Sequence, residues 1–197
     1  RRIGPAARPA AAHGRPARSP GCVAMSRLPT FVLIGAAKSG TTALAAQLAA
    51  HPEVFFSPAK EPNYFALSGR ALPEGGPAPP EVLSALLYSR SFTDWASYAS
   101  LFAGSQGAKA VGEASVRYLY YEEAPGRIAR VLPEARFVAI LRDPVARLRS
   151  HFVMNRQLDL EPLPLMAAAE AEAERRRAGW GWDWHYAGVG LYAGQLA

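Results

Sequence analysis

Residues 31–42 read Phe-Val-Leu-Ile-Gly-Ala-Ala-Lys-Ser-Gly-Thr-Thr, an apolar run followed by a loop bounded by Gly35 and Gly40. A glycine-bounded loop at the start of a helix directs backbone N–H groups and the positive end of the helix dipole at one point. The loop and the first helical turn add four side-chain donors: Lys38, Ser39, Thr41 and Thr42. The pattern therefore predicts a phosphate-binding loop.

The spacing of the two glycines resembles the P-loop of nucleotide triphosphatases, G-x-x-x-x-G-K-[ST], with one difference. Thr41 occupies the position of the P-loop lysine, and the lysine comes earlier, at Lys38. A lysine inside the loop, with hydroxyls after it, favours a nucleotide with a short 5′ anhydride and no required metal. The alternative is a tight strand-to-helix turn that binds nothing.

A second group of candidate residues follows the apolar segment 136–141. Asp143 can cap a helix and Pro144 can occupy its first position. Arg142 can place two donors on a phosphate, and Ser150 lies two helical turns beyond Asp143 on the same face. We expect Arg142 and Ser150 to converge on one phosphate; the alternative is that Arg142 pairs with Asp143 or another carboxylate.

The surroundings of this second group carry further expectations. Arg147 and Arg149 are expected to support the loop or to face solvent, and His151 to pack beside the phosphate site. The aromatic residues of 180–186 are expected to anchor a loop to the core, with stacking on an acceptor as the alternative.

Alternating strands and helices must position these groups. Apolar runs predict strands at 31–34, 54–56, 109–113 and 136–141. Helices are predicted at 41–48, 81–89, 94–103, 125–132, from 144 onward and at 163–178, the last with a charged, solvated face. This order predicts an α/β fold with three layers, in which helices cover both faces of a mainly parallel central sheet, as in P-loop NTPases. Ligands then bind at the carboxyl ends of strands.

The composition separates a basic leader from the rest of the chain. The 197 residues have a formal charge of +6, but residues 1–25 contain five arginines and no acidic residue. The remainder is nearly neutral, so a nucleic-acid partner is not expected. Residues 1–25 are predicted to be a disordered leader or an upstream extension, with Met25 as the true start and a transit peptide as the alternative.

Cysteine and histidine usage excludes several kinds of site. Cys22 is the only cysteine, and the four histidines are scattered, so no disulfide or metal centre is expected. The sequence has no long apolar segment, and we expect a soluble, cytoplasmic protein without a membrane span. The oligomeric state stays open.

The two phosphate-binding patterns, about a hundred residues apart, together resemble the sulfotransferases that use 3′-phosphoadenosine-5′-phosphosulfate (PAPS). The match runs from Leu28 to Ala197. Residues 35–42 are similar to the 5′-phosphosulfate loop of that family, and 136–152 to its 3′-phosphate segment. The resemblance implies that Lys38, Ser39, Gly40, Thr41 and Thr42 bind the 5′ end, and that Arg142 and Ser150 bind the 3′-phosphate.

The same resemblance implies a reaction. Residues 60–65, Lys-Glu-Pro-Asn-Tyr-Phe, look like the segment whose glutamate serves as base, which makes Glu61 the candidate base and Lys38 the group that stabilises the leaving phosphate. A sulfuryl group would pass from PAPS to a hydroxyl or amine of a small-molecule or glycan acceptor, such as a carbohydrate or lipid, and leave adenosine 3′,5′-bisphosphate. Glu61 could instead form only a structural salt bridge with Lys60 or Lys38. Ala114 replaces a lysine of heparan-type members, which argues against a heparan-like acceptor.

The resemblance further implies that 26–197 is the N-terminal two-thirds of a sulfotransferase domain, with a further strand and a second cofactor loop after Ala197. The cofactor site of this chain would then be incomplete and the chain could be inactive. Two alternative functions remain, a P-loop nucleotide kinase or NTPase and a nonenzymatic nucleotide-binding fragment.

Overall fold

A computed structural model describes residues 27–197, so the predicted leader at 1–25 lies outside the described residues. Four strands form the sheet: β1 (Phe31–Gly35), β2 (Val54–Phe56), β3 (Ala110–Ala114) and β4 (Arg136–Ala139). Their spatial order is β2-β3-β1-β4, and every neighbouring pair is parallel. All carboxyl ends therefore meet at one edge, where the sequence placed both phosphate-binding patterns.

The helices follow the strands in the expected alternation. They are α1 (Thr41–Ala49), α2 (Tyr64–Leu67), α3 (Pro80–Leu83), α4 (Trp95–Ser100), α5 (Glu123–Val131), α6 (Pro144–Gln157), α7 (Leu165–Glu170), α8 (Glu172–Arg177) and α9 (Tyr192–Gln195). A π-helical turn at Ser84–Tyr88 extends α3. Short 3₁₀ turns occupy 116–119, 182–184 and 188–190.

Strand β1 separates the two faces of the sheet. Val32 and Ile34 belong to the large core with residues of α2, α4 and α5, whereas Leu33 packs on the other face with Ala45 of α1. Alternate residues of a strand point to opposite faces, so both faces of β1 are buried, as its continuous apolar run requires. The predicted three-layer α/β fold is confirmed.

The close approach of β3 to β1 depends on Gly112. This residue lies opposite Phe31 in the parallel register. A Cβ atom at Gly112 would lie 2.1 Å from the Phe31 ring, well inside van der Waals contact. Only glycine therefore fits under the aromatic ring, which gives a physical reason for the glycine of the Gly112-Glu113 segment.

The helix predicted at 163–178 is wrong in two respects. It is divided at Ala171 into α7 and α8, and part of its charge is buried rather than solvated. Arg175 donates two hydrogen bonds to Glu161, at 2.6 and 2.8 Å. Glu172 accepts from the backbone N–H groups of Ala187 and Gly188, at 2.7 and 3.0 Å. Arg175 thus joins α8 to the segment before α7, and Glu172 joins it to the C-terminal segment.

Candidate active site

The phosphate-binding loop joins β1 to α1 in a conformation that its sequence favours. Gly40 precedes α1 with a φ of 96°, a left-handed conformation that glycine adopts without strain. Lys38 also has a positive φ, of 66°. Among residues 27–197, no acceptor is found for the backbone N–H groups of Gly40, Thr41 and Thr42. These groups are available to an anion at the positive end of the helix dipole.

Lys38 extends from this loop toward α6. Its ammonium lies 3.4 Å from the sulfur of Met154, and none of the described carboxylates forms a salt bridge with it. Burial, then the positive charges of Arg142 and Lys60, lower the pKa of Lys38. A bound anion would offset this repulsion and favour the charged ammonium.

The second predicted phosphate segment contacts the first directly. Ile140 exchanges backbone hydrogen bonds with Gly35 and Ala36, at 2.9 and 2.8 Å, and so attaches the segment after β4 to the start of the loop. Arg142 then donates from Nη1 to the carbonyl oxygen of Lys38, at 3.0 Å. The two patterns, far apart in sequence, therefore form one continuous surface.

Helix α6 begins as predicted. Asp143 accepts from the backbone N–H of Ala146 at 2.8 Å, and Pro144 occupies the first turn. Asp143 is thus used as a cap, and no ion pair between it and Arg142 is found in the described part of the chain. Arg142 and Ser150 line a shared open cavity of about 460 Å³. Arg149 lines it too, a cation to which the sequence assigned no binding role.

Glu61 lies at the carboxyl end of β3, and both its backbone and its carboxylate are held there. Its backbone N–H donates to the carbonyl oxygen of Ala114 at 2.8 Å, and its Oε2 accepts from the backbone N–H of Val116 at 2.9 Å. Lys60 pairs with Oε1 at 2.6 Å, so the salt bridge considered from the sequence is present. The carboxylate still lines the same cavity as Lys38.

A buried polar network lies behind Glu61. Asn63 donates its backbone N–H to Ser115 Oγ at 2.9 Å, and Ser115 donates to Glu113 at 2.9 Å. Tyr98 donates to the other oxygen of Glu113 at 3.2 Å. Burial raises the pKa of Glu113 to about 7, although its hydrogen bonds act in the opposite direction. The sequence predicted no supporting role for these residues.

The main cavity has a volume of about 510 Å³ and combines the loop with Glu61. From the predicted site it includes Lys38, Gly40, Thr41, Thr42 and Glu61. The buried hydroxyl of Ser39 has no hydrogen-bond partner among the described residues. The cavity does not include Arg142 or Ser150, which line the neighbouring open cavity instead.

The cavity wall also contains residues that the sequence did not assign to the site: Lys60, Asn63, Leu86, Leu87, Val116, Arg117, His151, Met154, Leu158, Trp182 and Asp183. His151 and Arg147 are fully buried, so Arg147 does not face solvent. Trp184 and Tyr186 are core residues, as the anchoring interpretation predicts, whereas Trp182 is buried and also lines the cavity.

Residues 27–197 lack two kinds of feature. No cluster of three or more His, Cys, Asp or Glu residues there could hold a metal ion. None of the helices in this range has the length and hydropathy needed to cross a bilayer.

A solved structure has a similar fold. A sulfotransferase from Alicyclobacillus acidocaldarius superimposes with a TM-score of 0.78 and 35% sequence identity, over 86% of this chain and 67% of the other. Membrane-associated sulfotransferase kil1 of Dictyostelium discoideum is 28% identical over 125 residues, 64% of this chain and 22% of the relative.

A further relative is a human enzyme. Bifunctional heparan sulfate N-deacetylase/N-sulfotransferase 3 is 29% identical over 136 residues, which are 66% of this chain and 13% of the relative. The chain thus spans about a fifth or less of these two curated relatives. Residues 29–184 match the model of the sulfotransferase family. The matched region begins before β1 and ends with the 3₁₀ turn at Trp184. The chain therefore belongs to the sulfotransferase family.

Proposed function

We propose that this chain transfers a sulfuryl group from PAPS to the hydroxyl or amine of an acceptor and leaves adenosine 3′,5′-bisphosphate. The observation that carries the proposal is the contact between Arg142 and the carbonyl of Lys38, at 3.0 Å. This contact would join the proposed site for the 5′-phosphosulfate to the proposed site for the 3′-phosphate. A nucleotide with anionic groups at both ends matches this arrangement.

The phosphate-binding loop would stabilise the leaving group. When the bond between sulfur and the bridging oxygen breaks, its electron pair stays on the 5′-phosphate. Lys38 and the N–H groups of Gly40, Thr41 and Thr42 have no competing anion among residues 27–197 and can bind that charge. Electrostatic stabilisation by fixed donors is commonly the largest contribution to catalysis.

Glu61 would act as the base. A new bond forms between the acceptor oxygen and sulfur while the hydroxyl proton passes to the carboxylate. Lys60 and the N–H of Val116 each hold one carboxylate oxygen and fix its orientation. Each oxygen has a second lone pair that can accept the proton. The salt bridge with Lys60 is therefore compatible with the catalytic role.

Arg142 and Ser150 would bind the 3′-phosphate at the start of α6. Arginine can bond two phosphate oxygens at once, and the helix dipole adds positive potential. Arg149 lines the same cavity and adds a further cation.

A nucleotide kinase or NTPase is the competing function. Thr41 stands where a P-loop needs its lysine, and Arg142 adds a cation that a triphosphate site does not require. Both features favour PAPS over ATP. A nonenzymatic nucleotide-binding protein would bind adenosine 3′,5′-bisphosphate but transfer no sulfuryl group.

Two measurements test the proposal. Calorimetric titration should show tighter binding of adenosine 3′,5′-bisphosphate than of ATP, and the reverse order would favour the kinase. Labelled PAPS should transfer its sulfuryl group to one or more members of a panel of sugars, lipids and phenols. Lys38→Ala should abolish transfer, whereas Lys109→Ala, at an exposed lysine outside both cavities, should not. Full activity of Lys38→Ala would exclude the leaving-group role.

A further inference from the structure

The three lysines of the chain, Lys38, Lys60 and Lys109, differ in their partners. Lys60 forms a salt bridge with Glu61 at 2.6 Å, and Lys109 pairs with a glutamate on the surface. None of the described carboxylates forms a salt bridge with Lys38, whose Nζ lies 3.4 Å from the sulfur of Met154, a weak acceptor. Lys38 therefore lacks the adjacent negative charge that favours the ammonium form of the other two lysines.

The surroundings of Lys38 favour its neutral amine. Burial, then the positive charges of Arg142 and Lys60, lower the pKa of Lys38. A neutral amine is a nucleophile, and a lysine is activated in this way when it is desolvated or lies beside another cation. Lys38 is only half-buried and lines the main cavity of about 510 Å³, so a small molecule can reach it. The side chain is thus able to form a covalent bond as well as to bind an anion.

The loop that carries Lys38 provides a site for the phosphate group of such a molecule. The backbone N–H groups of Gly40, Thr41 and Thr42 have no acceptor among residues 27–197 and lie at the positive end of α1. In the proposed reaction these groups hold the 5′-phosphate, and Lys38 stabilises the oxygen that joins it to sulfur. An acyl phosphate is also a mixed anhydride of phosphate, with a carbonyl carbon in the place of that sulfur. When its phosphate is bound in the loop, the carbonyl carbon lies beside the Lys38 amine.

We infer that Lys38 is a modification site for acyl phosphates, which bind to the loop through their phosphate and transfer their acyl group to the lysine. The lone pair of the neutral Nζ forms a bond with the carbonyl carbon. The bond between that carbon and the bridging oxygen breaks, its electron pair stays on the phosphate, and the nitrogen releases a proton to water. The products are an amide at Lys38 and inorganic phosphate. The inference rests on the proposed function for the position of the phosphate.

The modification would inactivate the sulfuryl-transfer site. An amide nitrogen carries no positive charge, so an acylated Lys38 can no longer stabilise the charge on the leaving phosphate. Acyl phosphates would therefore act as covalent inhibitors that the phosphate-binding loop itself selects. A ligand that already occupies the loop would protect the lysine.

Acetyl phosphate and acetic anhydride are the probes, because both transfer an acetyl group and only the first contains a phosphate. Each is incubated with the whole chain, and peptide mass spectrometry measures the rates of acetylation at Lys38 and Lys109. We expect the ratio of the two rates to be about tenfold or more higher with acetyl phosphate, because only the bound reagent gains from proximity. Acetylation of Lys38 should also rise with pH, as the amine loses its proton. Equal rate ratios for the two reagents would overturn the inference.

Two methionines provide matched variants. Met154→Glu places a carboxylate next to Lys38, where it would hold the ammonium form and repel the phosphate. We expect acetylation of Lys38 by acetyl phosphate to slow by about tenfold or more, the change in neutral amine that one unit of pKa produces. Met166→Glu, at a methionine that is 69% exposed and outside both cavities, should leave the rate unchanged. An unchanged rate in Met154→Glu would contradict the site, and the comparison of reagents on the wild type does not depend on the folding of either variant.

Two protecting ligands separate this inference from the sulfuryl-transfer proposal. Inorganic pyrophosphate and adenosine 3′,5′-bisphosphate, each added before acetyl phosphate, should both slow acetylation of Lys38 and leave that of Lys109 unchanged. If pyrophosphate protects Lys38 and the nucleotide does not bind, the sulfuryl-transfer proposal is wrong and the modification site stands. If the nucleotide binds but acetyl phosphate shows no preference for Lys38, the modification site is wrong and the proposed function stands.

Discussion

At the scale of single residues, Glu61 has two contacts that constrain what it can do. Lys60 holds one carboxylate oxygen at 2.6 Å and the N–H of Val116 holds the other at 2.9 Å. A side chain that served only as half of a surface ion pair would not need the second contact. The backbone bond from Glu61 to Ala114 further fixes its position at the end of β3.

Glu61→Gln keeps the shape of the side chain but removes the proton acceptor. We expect the rate of sulfuryl transfer at saturating substrates to fall by about 10²–10⁴-fold, the usual contribution of a general base. The affinity for adenosine 3′,5′-bisphosphate should change little, because Glu61 is not assigned to the nucleotide. Steady-state kinetics and calorimetry measure the two quantities, and a parallel loss of both would contradict the assignment as base.

Arg142 allows a second residue-scale prediction. Arg142→Ala should weaken adenosine 3′,5′-bisphosphate by about ten- to a hundredfold, the range for loss of hydrogen bonds to a charged group. Adenosine 5′-monophosphate, which lacks the 3′-phosphate, should lose much less affinity. Arg130→Ala, at an exposed arginine of α5, is the control. Equal losses for the two nucleotides would show that Arg142 does not bind the 3′ end.

At the scale of elements, the end of β3 supports the site and makes the stability of the fold depend on pH. Glu113 is fully buried at the end of β3 and is bonded to Ser115 and Tyr98. Its pKa is raised to about 7 in the folded chain. Between the unfolded and folded pKa values the native state retains a proton that the unfolded chain releases, so stability falls as pH rises through this window.

Urea unfolding of the wild type and Glu113→Gln at several pH values tests this effect. From pH 5 to pH 8, the unfolding free energy of the wild type should fall by on the order of 2 kcal/mol more than that of the variant. Glu134→Gln, at an exposed glutamate, should follow the wild type. Parallel pH curves for the wild type and Glu113→Gln would contradict the prediction.

The elements also show what a sequence can and cannot reveal. The sequence predicted strand β1, the loop after it and the start of α6. Each of these features depends on local residues: a buried apolar run, glycines and the Asp143-Pro144 cap. The interior of α6 was predicted only in part, because His151 was expected to pack beside the phosphate site but Arg147 was not assigned to the core. Its buried residues Arg147, His151 and Asn155 are polar at a spacing of four, a pattern that normally marks a solvated face.

Residues of the cavity wall were left out of the predicted site for a related reason. Trp182 and Asp183 reach the site from the far end of the described chain through a 3₁₀ turn, which has no periodic signal. The charged face of α8 was wrongly expected to be solvated, because Glu172 and Arg175 find buried partners in distant segments. Such pairings depend on tertiary contacts, and no local pattern predicts them.

At the scale of the whole molecule, cations line both cavities of the proposed nucleotide site. Lys38 and Lys60 line the main cavity, and Arg142 and Arg149 line the second. Residues 26–197 as a whole are close to neutral, with 17 basic and 16 acidic residues. The attraction for a polyanionic nucleotide is therefore local and should be screened by salt.

This charge distribution predicts how the nucleotide affects stability. At a concentration of 100 Kd, adenosine 3′,5′-bisphosphate should stabilise the fold by about 2.7 kcal/mol, which for a chain of this size is roughly 5–10 °C in Tm. Raising the salt from 0.05 to 0.5 M should weaken this ligand several-fold but leave uncharged adenosine nearly unaffected. Thermal unfolding and calorimetry measure both effects, and an equal salt response of the two ligands would contradict the prediction.

The backbone bonds between Ile140 and residues 35–36 have a consequence for donor selection. They continue the pairing of β1 with β4, so the loop after β1 and the segment that carries Arg142 start from adjacent strands. The spacing of those strands, about 4.8 Å in any sheet, does not adjust to a ligand, and it limits how far the two proposed anion sites can move relative to each other. The protein would thus select its nucleotide by the distance between the terminal anions. A 2′-phosphate isomer of PAPS, with the same charge and composition, should be a poor donor.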